Sequence, residues 1–472
     1  MLYDFIIINK NDKTPLYRQI YMSVRKSIET GSLKKGTKLP SIRRLSADLD
    51  VSKTTVNGAY EQLCAEGYIS NKPQSGYYVE AQFSDTPSKA DKASSAANKS
   101  KKYYEYDFSS KSIDDGIINI NEWKKYVKEV LNQNYLLTSY GEEQGEEILR
   151  NALQKYSLGT RSVNTSYENI IVGAGTQTLL HILCSLLGNN EKIALADYSY
   201  IQSEYVFNSH GYDIKYFRCD KYGACIDSLE EINPDIILLN PNFTVNSNIT
   251  MPVTRRLEII KWAKENNALI IEDDYNSEFR YYNRPTPSLQ GLSGGRGVVY
   301  LGTFSRLLLP SIRMSYMVLP PDLLKRYQER GRFYNQTASK AEQIALCQFI
   351  RDGHLESQIR KSKKLYAAKA KCLCDAVRRI FGEKARTHLG DAGFLVLMEL
   401  DSPLTSAEIA GRAAQAGVAV RPVESVGSLL EKQEHHFQEG YPKLLLSCAS
   451  MGAERYEEAL EVLKEVVYKK EK

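Results

Sequence analysis

Cysteine, tryptophan and long hydrophobic runs are all scarce in this sequence. Its eight cysteines (64, 184, 219, 225, 347, 372, 374 and 448) are scattered over 472 residues, none as C-x-x-C, and no Cys/His spacing suits zinc. That argues against a disulfide scaffold or a zinc module, so no metal is expected; sparse cysteines in a long chain fit a reducing cytoplasm. No apolar run approaches the ~20 residues of a membrane span, and no membrane partner is expected. The opening MLYDFIIINKNDK has neither a basic n-region nor a small-residue cleavage site, so no signal peptide is read there. What is present is ordinary for a globular protein: 42% hydrophobic and 25% charged residues, which excludes a wholly disordered or collagenous chain. The length exceeds the roughly 250–300 residues one core supports, so two or three domains are expected.

Charge is unevenly spread. Residues 1–80 carry 12 Lys/Arg against 8 Asp/Glu, and residues 81–105 carry 5 against 3, so the rest is left at −1 of a total of +5. A basic excess confined to one end points to nucleic acid as the partner of that end. Residues 81–105, AQFSDTPSKADKASSAANKSKKYYE, are rich in Ser, Ala and Lys without apolar period and read as a linker, spanning roughly 25–30 Å if flexible.

Ahead of the linker, Leu16, Ile20, Val24 and Ile28 recur every fourth residue, the stripe of a helix that Gly31 ends. Pro40-Ser41 opens a second helix with Ile42, Leu45 and Leu49 inward. Ser52 caps a third, with Val56, Ala59, Tyr60 and Leu63 as its stripe. Helix, tight turn, helix is the helix-turn-helix pattern, and Gly67-Tyr68-Ile69 and Gly76-Tyr77-Tyr78-Val79 flank a polar tip like a two-stranded wing. The start of the third helix carries Ser52, Lys53, Thr54, Thr55 and Asn57, polar groups where a recognition helix meets the major groove. Arg43 and Arg44 on the preceding helix add phosphate or guanine contacts. The run LPSIRRLSADLDVSKTTVNGAYEQLCAEGYI followed by SGYYV resembles the winged helix of GntR-type bacterial transcription factors. That resemblance implies operator binding as a dimer. It matches Arg43, Lys53, Thr54, Thr55 and the wing residues Gln74, Ser75 and Gly76 to DNA-contacting positions. Lys53 departs from the more usual arginine and lacks its planar fork.

After the linker, NIIV (169–172), KIAL (192–195), IILL (236–239), ALII (268–271) and VVYL (298–301) are short apolar runs separated by longer amphipathic segments. This reads as buried parallel strands with crossover helices. The last ~130 residues turn to helical patterns around one strand-like stretch, 393–400, a smaller α+β domain. Four ordered motifs carry a second resemblance: Ser139-Tyr140-Gly141 with Gly145 and Leu149-Arg150; Gly173-Ala174-Gly175-Thr176-Gln177; Glu272-Asp273-Asp274-Tyr275-Asn276-Ser277-Glu278-Phe279-Arg280; and Thr303-Phe304-Ser305-Arg306 with Pro310-Ser311-Ile312-Arg313. They resemble fold-type I aminotransferases, the pyridoxal-phosphate enzymes. A GntR head on such a body is the MocR/GabR-type architecture. The expected layout is a winged helix-turn-helix at 1–80, a linker at 81–105, an α/β large domain at 106–330 and a small domain at 331–472.

The resemblance implies that Gly175, Thr176 and Gln177 meet the cofactor phosphate with backbone N–H groups, helped by Thr303, Ser305 and Arg313. Asp273 would hold the pyridine nitrogen, Tyr275 the ring hydroxyl, and Tyr200 would stack on the ring. Arg306 stands at the position of the lysine that holds the cofactor covalently and moves protons. A guanidinium stays protonated and does neither. Pro241-Asn242-Phe243-Thr244-Val245-Asn246-Ser247-Asn248 has lost the second proline and the glycine of its segment, and Leu445 replaces the arginine that clamps a substrate carboxylate. The expectation is a cytoplasmic regulator without catalytic residues. Its body dimerises, senses a small molecule, and binds pyridoxal 5′-phosphate noncovalently if at all. An active transferase with a DNA-binding head, or a ligand-free scaffold, are the alternatives. A linker of this length lets two heads adopt several spacings, so direct and inverted half-site repeats are equally accessible.

Overall fold

The computed structural model describes residues 6, 8–9, 12, 14–81, 104–109, 113–114, 117–188, 191–196, 201–242, 250–275, 277–281, 286–330, 333–390, 393–423, 441–449 and 451–468. They form two compact units that divide between residues 102 and 103. Most of the expected linker lies outside the described residues.

The first unit is built from three helices and a hairpin: α1 (Leu16–Glu29), α2 (Ile42–Asp48), α3 (Lys53–Ala65), β1 (Ile69–Lys72) and β2 (Gly76–Val79). The stripes meet as their spacing requires. Ile20, Val24, Ile28, Leu45, Val56, Ala59, Tyr60 and Leu63 are buried together with Ile69 and Val79. Ser41 and Ser52 cap α2 and α3, accepting from the N–H of Arg44 and Thr55. Tyr60 keeps its buried hydroxyl satisfied by donating to the Pro40 carbonyl at 3.1 Å, which ties α3 to the entry of α2. The strands pair antiparallel from Ile69↔Val79 to Lys72↔Gly76, joined by a three-residue loop in which Gln74 adopts φ 62°.

The second unit holds a seven-stranded sheet. Its strands are β3 (Ile170–Gly173), β4 (Lys192–Ala196), β5 (Asp213–Phe217), β6 (Ile236–Leu239), β7 (Leu269–Asp273), β8 (Val298–Thr303) and β9 (Ser315–Val318), in the order β3-β9-β8-β7-β6-β4-β5. All five expected strands are present. Two more were not foreseen, and the sheet is mixed rather than parallel, because β9 runs antiparallel to both β8 and β3. The physical reason is the short link. Only 304–314 separate β8 from β9, less than a crossover needs to return a parallel strand. The other new strand, β5, hides its period: DIKYF alternates polar and apolar at the sheet edge, with only Phe217 fully buried.

The small domain also corrects the expectation of one strand. Ala385–Leu389 (β10), Leu395–Leu400 (β11), Arg421–Pro422 (β12) and Lys443–Ser447 (β13) form an antiparallel sheet in the order β10-β11-β13-β12. Long helices cover it, chief among them His354–Phe381, of 28 residues. One apolar core runs from Phe304 and Tyr316 of the large sheet into Phe394, Leu397 and Leu445 of the small one.

Candidate DNA-contact surface and ligand site

On the first unit, Arg43, Arg44, Ser52, Lys53 and Thr54 are exposed, while Thr55 and Asn57 are half-buried. Their neighbours rank them. Ser52 Oγ accepts from Thr55 N at 3.1 Å and lies 2.7 and 2.8 Å from the Thr54 and Thr55 hydroxyls, so its first task is to cap the helix. Asn57 Nδ2 donates to Glu61 Oε1 at 2.8 Å, a bond it must exchange to reach a base. Arg44 lies 3.9 Å from Asp48. At the hairpin tip Gln74 and Ser75 are exposed and Gly76 takes φ 108°. Sequence reasoning passed over Lys38 and Lys72, whose ammonium groups lie 5.7 and 4.9 Å from the Tyr78 ring centre. Tyr78 Oη in turn meets Ser75 Oγ at 2.7 Å. Only pairing in space makes this basic edge, since the two lysines are far apart in sequence.

In the second unit, strand order brings three candidate site residues together. Gly173 on β3 lies opposite Ser315 on β9, and Ser315 opposite Thr303 on β8. Three strand ends thereby deliver Gly175, Arg313 and Thr303 to one place. Gly175, at φ 95°, precedes the helix Thr176–Leu186, whose first amides have no intrahelical acceptor. A Cβ on Gly175 would stand 2.5 Å from Arg313 Nη2. Arg313 itself sits at φ 50° after the turn Pro310–Ile312. Ser315 Oγ donates to Thr303 Oγ1 at 2.9 Å, and Ser305 N donates to the same oxygen at 3.3 Å. Free N–H groups, a guanidinium and hydroxyls in this grouping suit a phosphate.

Three consecutive acids end β7, and strand alternation separates them. Glu272 is fully buried and accepts from the amides of Leu289 and Gln290 at 2.9 and 3.0 Å. Asp274 is buried in a network with Arg161 Nε at 2.7 Å, Tyr300 Oη at 2.5 Å and Ser277 Oγ at 3.1 Å, and Asn242 also donates to it. Asp273 points the other way. It is half-buried, has no hydrogen-bond partner among the described residues, and its carboxyl is pushed up to about 7 by burial and by Asp274 and Glu272. An acid so placed suits a cationic ring nitrogen. Tyr275 is half-buried against the core. Tyr200 and residues 243–249 lie outside the described residues.

Arg306 departs from this pattern. Its guanidinium carbon lies 4.5 Å above the centre of the Phe394 ring, a cation–π contact with the small domain. Leu445 is fully buried in the core. The residues present therefore fit the phosphate and ring of a phosphopyridine, by the cradle a Cβ would fill at Gly175 and the unpartnered carboxyl of Asp273. They offer no amine at residue 306. Among the described residues no cluster of three or more His, Cys, Asp or Glu could hold a metal ion, and no helix is long and apolar enough to cross a membrane.

Comparison with known proteins agrees with both units. Residues 105–463 match the family described as aminotransferase class I and II, and residues 16–79 match the gntR family of bacterial regulatory proteins. The HTH-type transcriptional regulator YdeL of Bacillus subtilis is 36% identical over 423 residues, covering 88% of this chain and 90% of that protein. The HTH-type pyridoxine biosynthesis transcriptional regulator PdxR of Corynebacterium glutamicum is 25% identical, covering 86% and 88%. A Rhizobium meliloti protein named as a rhizopine catabolism regulator, MocR, is 27% identical over 436 residues, covering 89% and 88%. Among solved structures, the multiple substrate aminotransferase of Thermococcus profundus superposes with a TM-score of 0.68 at 22% identity, covering 78% of this chain and 92% of that one. That likeness shows the fold.

Proposed function

Because this chain belongs to the MocR-type transcriptional regulators, which join a GntR-family DNA-binding head to an aminotransferase class I and II body, we propose that its body senses a phosphorylated small molecule held without a covalent bond. The observation that supports the reading is a contrast: the Arg313 guanidinium lies against Gly175 at the start of a helix, as a phosphate site would need, while residue 306 is an arginine stacked on Phe394.

Pyridoxal phosphate, when bound to such a fold, supplies an electron-withdrawing ring for chemistry at an amino-acid carbon. In this chain the amides of Thr176 and Gln177 with Arg313 would bind its phosphate, Asp273 would pair with the ring nitrogen, and Tyr275 would meet the ring hydroxyl. A guanidinium serves neither as an imine-forming amine nor as a general base, so residue 306 closes that position to proton transfer. Binding without turnover is what a sensor requires. Ligand stabilises whichever arrangement of the body holds it better, and the head reads that arrangement out on DNA.

The same reading makes the protein a homodimer in the cytoplasm. Tyr135 and Tyr140 are 70% and 102% exposed, with Leu131, Leu137 and Ile148 exposed nearby in sequence, apolar side chains that a second copy would cover. Two heads prefer two half-sites. The decisive experiment is a melting series of the full-length protein with pyridoxal phosphate and pyridoxine phosphate. A ligand at 100 times its Kd raises stability by about 2.7 kcal/mol. No shift with any phosphorylated pyridine, in protein that still binds operator DNA, would reduce the body to a scaffold.

A further inference from the structure

The 28-residue helix His354–Phe381 concentrates charge of one sign. It holds eight Lys/Arg against two Asp/Glu, a balance of +6, although residues 106–472 as a whole total −1. Its inward face is apolar, with Leu355, Ile359, Tyr366, Leu373 and Val377 buried in the core. Away from that core, Arg360, Lys364, Lys371 and Arg378 are exposed. At 3.6 residues per turn these four fall within about 40° of one another around the axis, and at 1.5 Å per residue their row is ~27 Å long. Exposed Lys361 and Arg379 border it. The acids beside the row neutralise little of it. Arg360 lies 3.9 Å from Glu356 and Arg378 3.6 Å from Asp375, both at the surface, and Arg379 pairs with Glu457 of the helix Tyr456–Tyr468. Exposed pairs of this kind hold weakly. Lys361, Lys364 and Lys371 pair with no carboxylate among the described residues.

A helix face that is merely solvated carries alternating signs that pair along it. This one keeps a single sign over five turns. Lys371 stands ~10 Å along the axis from both Lys364 and Arg378, a spacing that suits successive charges of an extended polyanion rather than one small anion. The polyanion at hand is duplex DNA, which the GntR-family head holds. A duplex carries one charge per roughly 1.7 Å of its axis, so the row matches about eight base pairs. We propose that this helix is a second DNA contact, independent of sequence: its basic row binds phosphates of the duplex flanking the operator, while the heads read the operator itself. Contacts too weak to act alone count here, because a duplex already held by the heads is presented to the same molecule at an effective concentration on the order of millimolar. The body thereby adds affinity without adding sequence information. The inference goes beyond ligand sensing and holds whichever small molecule the body senses.

The test compares two duplexes built on one sequence that the full-length protein selects from random DNA. One is the shortest that retains binding; the other is extended at each end by arbitrary sequence longer than the basic row. Full-length wild type should bind the extended duplex more tightly and with a steeper fall of log K against log salt. In the double variant Lys364→Gln, Lys371→Gln the slope on the extended duplex should drop by about two, so that between roughly 50 and 200 mM salt it loses about tenfold less affinity than wild type. Its binding to the short duplex should equal that of wild type, which also shows that the variant is folded with working heads. Lys364→Arg, Lys371→Arg keeps both charges and should behave as wild type on both duplexes. Changing the arbitrary sequence should alter nothing. Equal binding of the two duplexes by wild type, or an unchanged slope in the glutamine variant, overturns the proposal. So does an equal loss on both duplexes, which would assign the two lysines to the integrity of the body, and so does a preference among flanking sequences.

Discussion

The guanidinium of Arg313 occupies the space beside Gly175 that any larger residue would need: a Cβ there would lie 2.5 Å from Nη2. The contact exists because β9 is inserted antiparallel between β3 and β8, which sets the residues just beyond Gly173 next to those just before Ser315.

Gly175→Ala should therefore damage ligand binding more than stability. At φ 95° and ψ 162° Gly175 occupies a region essentially reserved for glycine, so an alanine there costs about 1–3 kcal/mol, and the methyl group pushes Arg313 away from the phosphate position. Calorimetric titration with pyridoxine phosphate is the check: binding should fall at least about tenfold, and an unchanged Kd removes Gly175 from the site.

Asp273 makes a pH prediction. Its carboxyl is pushed up to about 7 in the folded protein, against the ordinary value of 3.8. Between those values the folded state binds the extra proton, so this group favours folding at low pH, and its contribution declines as pH rises toward 7. Asp273→Asn should flatten that part of the stability curve and raise the stability of ligand-free protein at pH 8 by on the order of 1–2 kcal/mol, since the half-buried carboxylate keeps part of its hydration. It should also weaken pyridoxal phosphate binding. Denaturant titrations at pH 5 and pH 8 decide; equal pH dependence in both proteins contradicts the assignment.

For DNA, Lys53→Ala should lower operator affinity and reduce the slope of log K against log salt by about one if it meets a phosphate. Arg43→Ala should cost ~1–3 kcal/mol and relax specificity if it reads a guanine. Ser52→Ala acts differently. It removes a helix cap worth about 1 kcal/mol, so the head should melt earlier as well as bind less. A fragment without residues 1–80 that bound operator as well as the whole chain would refute all three.

Covalent chemistry at residue 306 is the last test. Wild-type protein mixed with pyridoxal phosphate and reduced with borohydride should carry no label in this pocket. Arg306→Lys restores an amine, and with Asp273 and Arg313 in place it should be trapped there, as a peptide map would locate. It should not restore transamination, because Leu445, an uncharged side chain buried in the core, offers nothing to a substrate carboxylate. Label on another pocket lysine of the wild type contradicts the noncovalent reading.

Local signals in the chain were enough for much of this protein. Helical stripes, the Ser41 and Ser52 caps, and the polar start of α3 specify the head, because each depends on neighbours within four residues. Buried strands such as IILL announce themselves by apolar runs, and ordered motifs place Gly175, Asp273, Arg306 and Arg313. What tertiary structure alone decided depends on pairing between distant segments. The antiparallel β9, the two-residue strand at Arg421, and the meeting of Lys38 with Lys72 over Tyr78 leave no local period. The fates of the three acids divide in the same way: the motif names all of them, but only packing commits Glu272 and Asp274 to buried partners and leaves Asp273 half-buried on the other side of the strand. The facing of Arg421 and Leu445 is likewise invisible in sequence. Position along the chain does not say which residues of two strands oppose each other, whereas the register of β12 against β13 sets these two side by side.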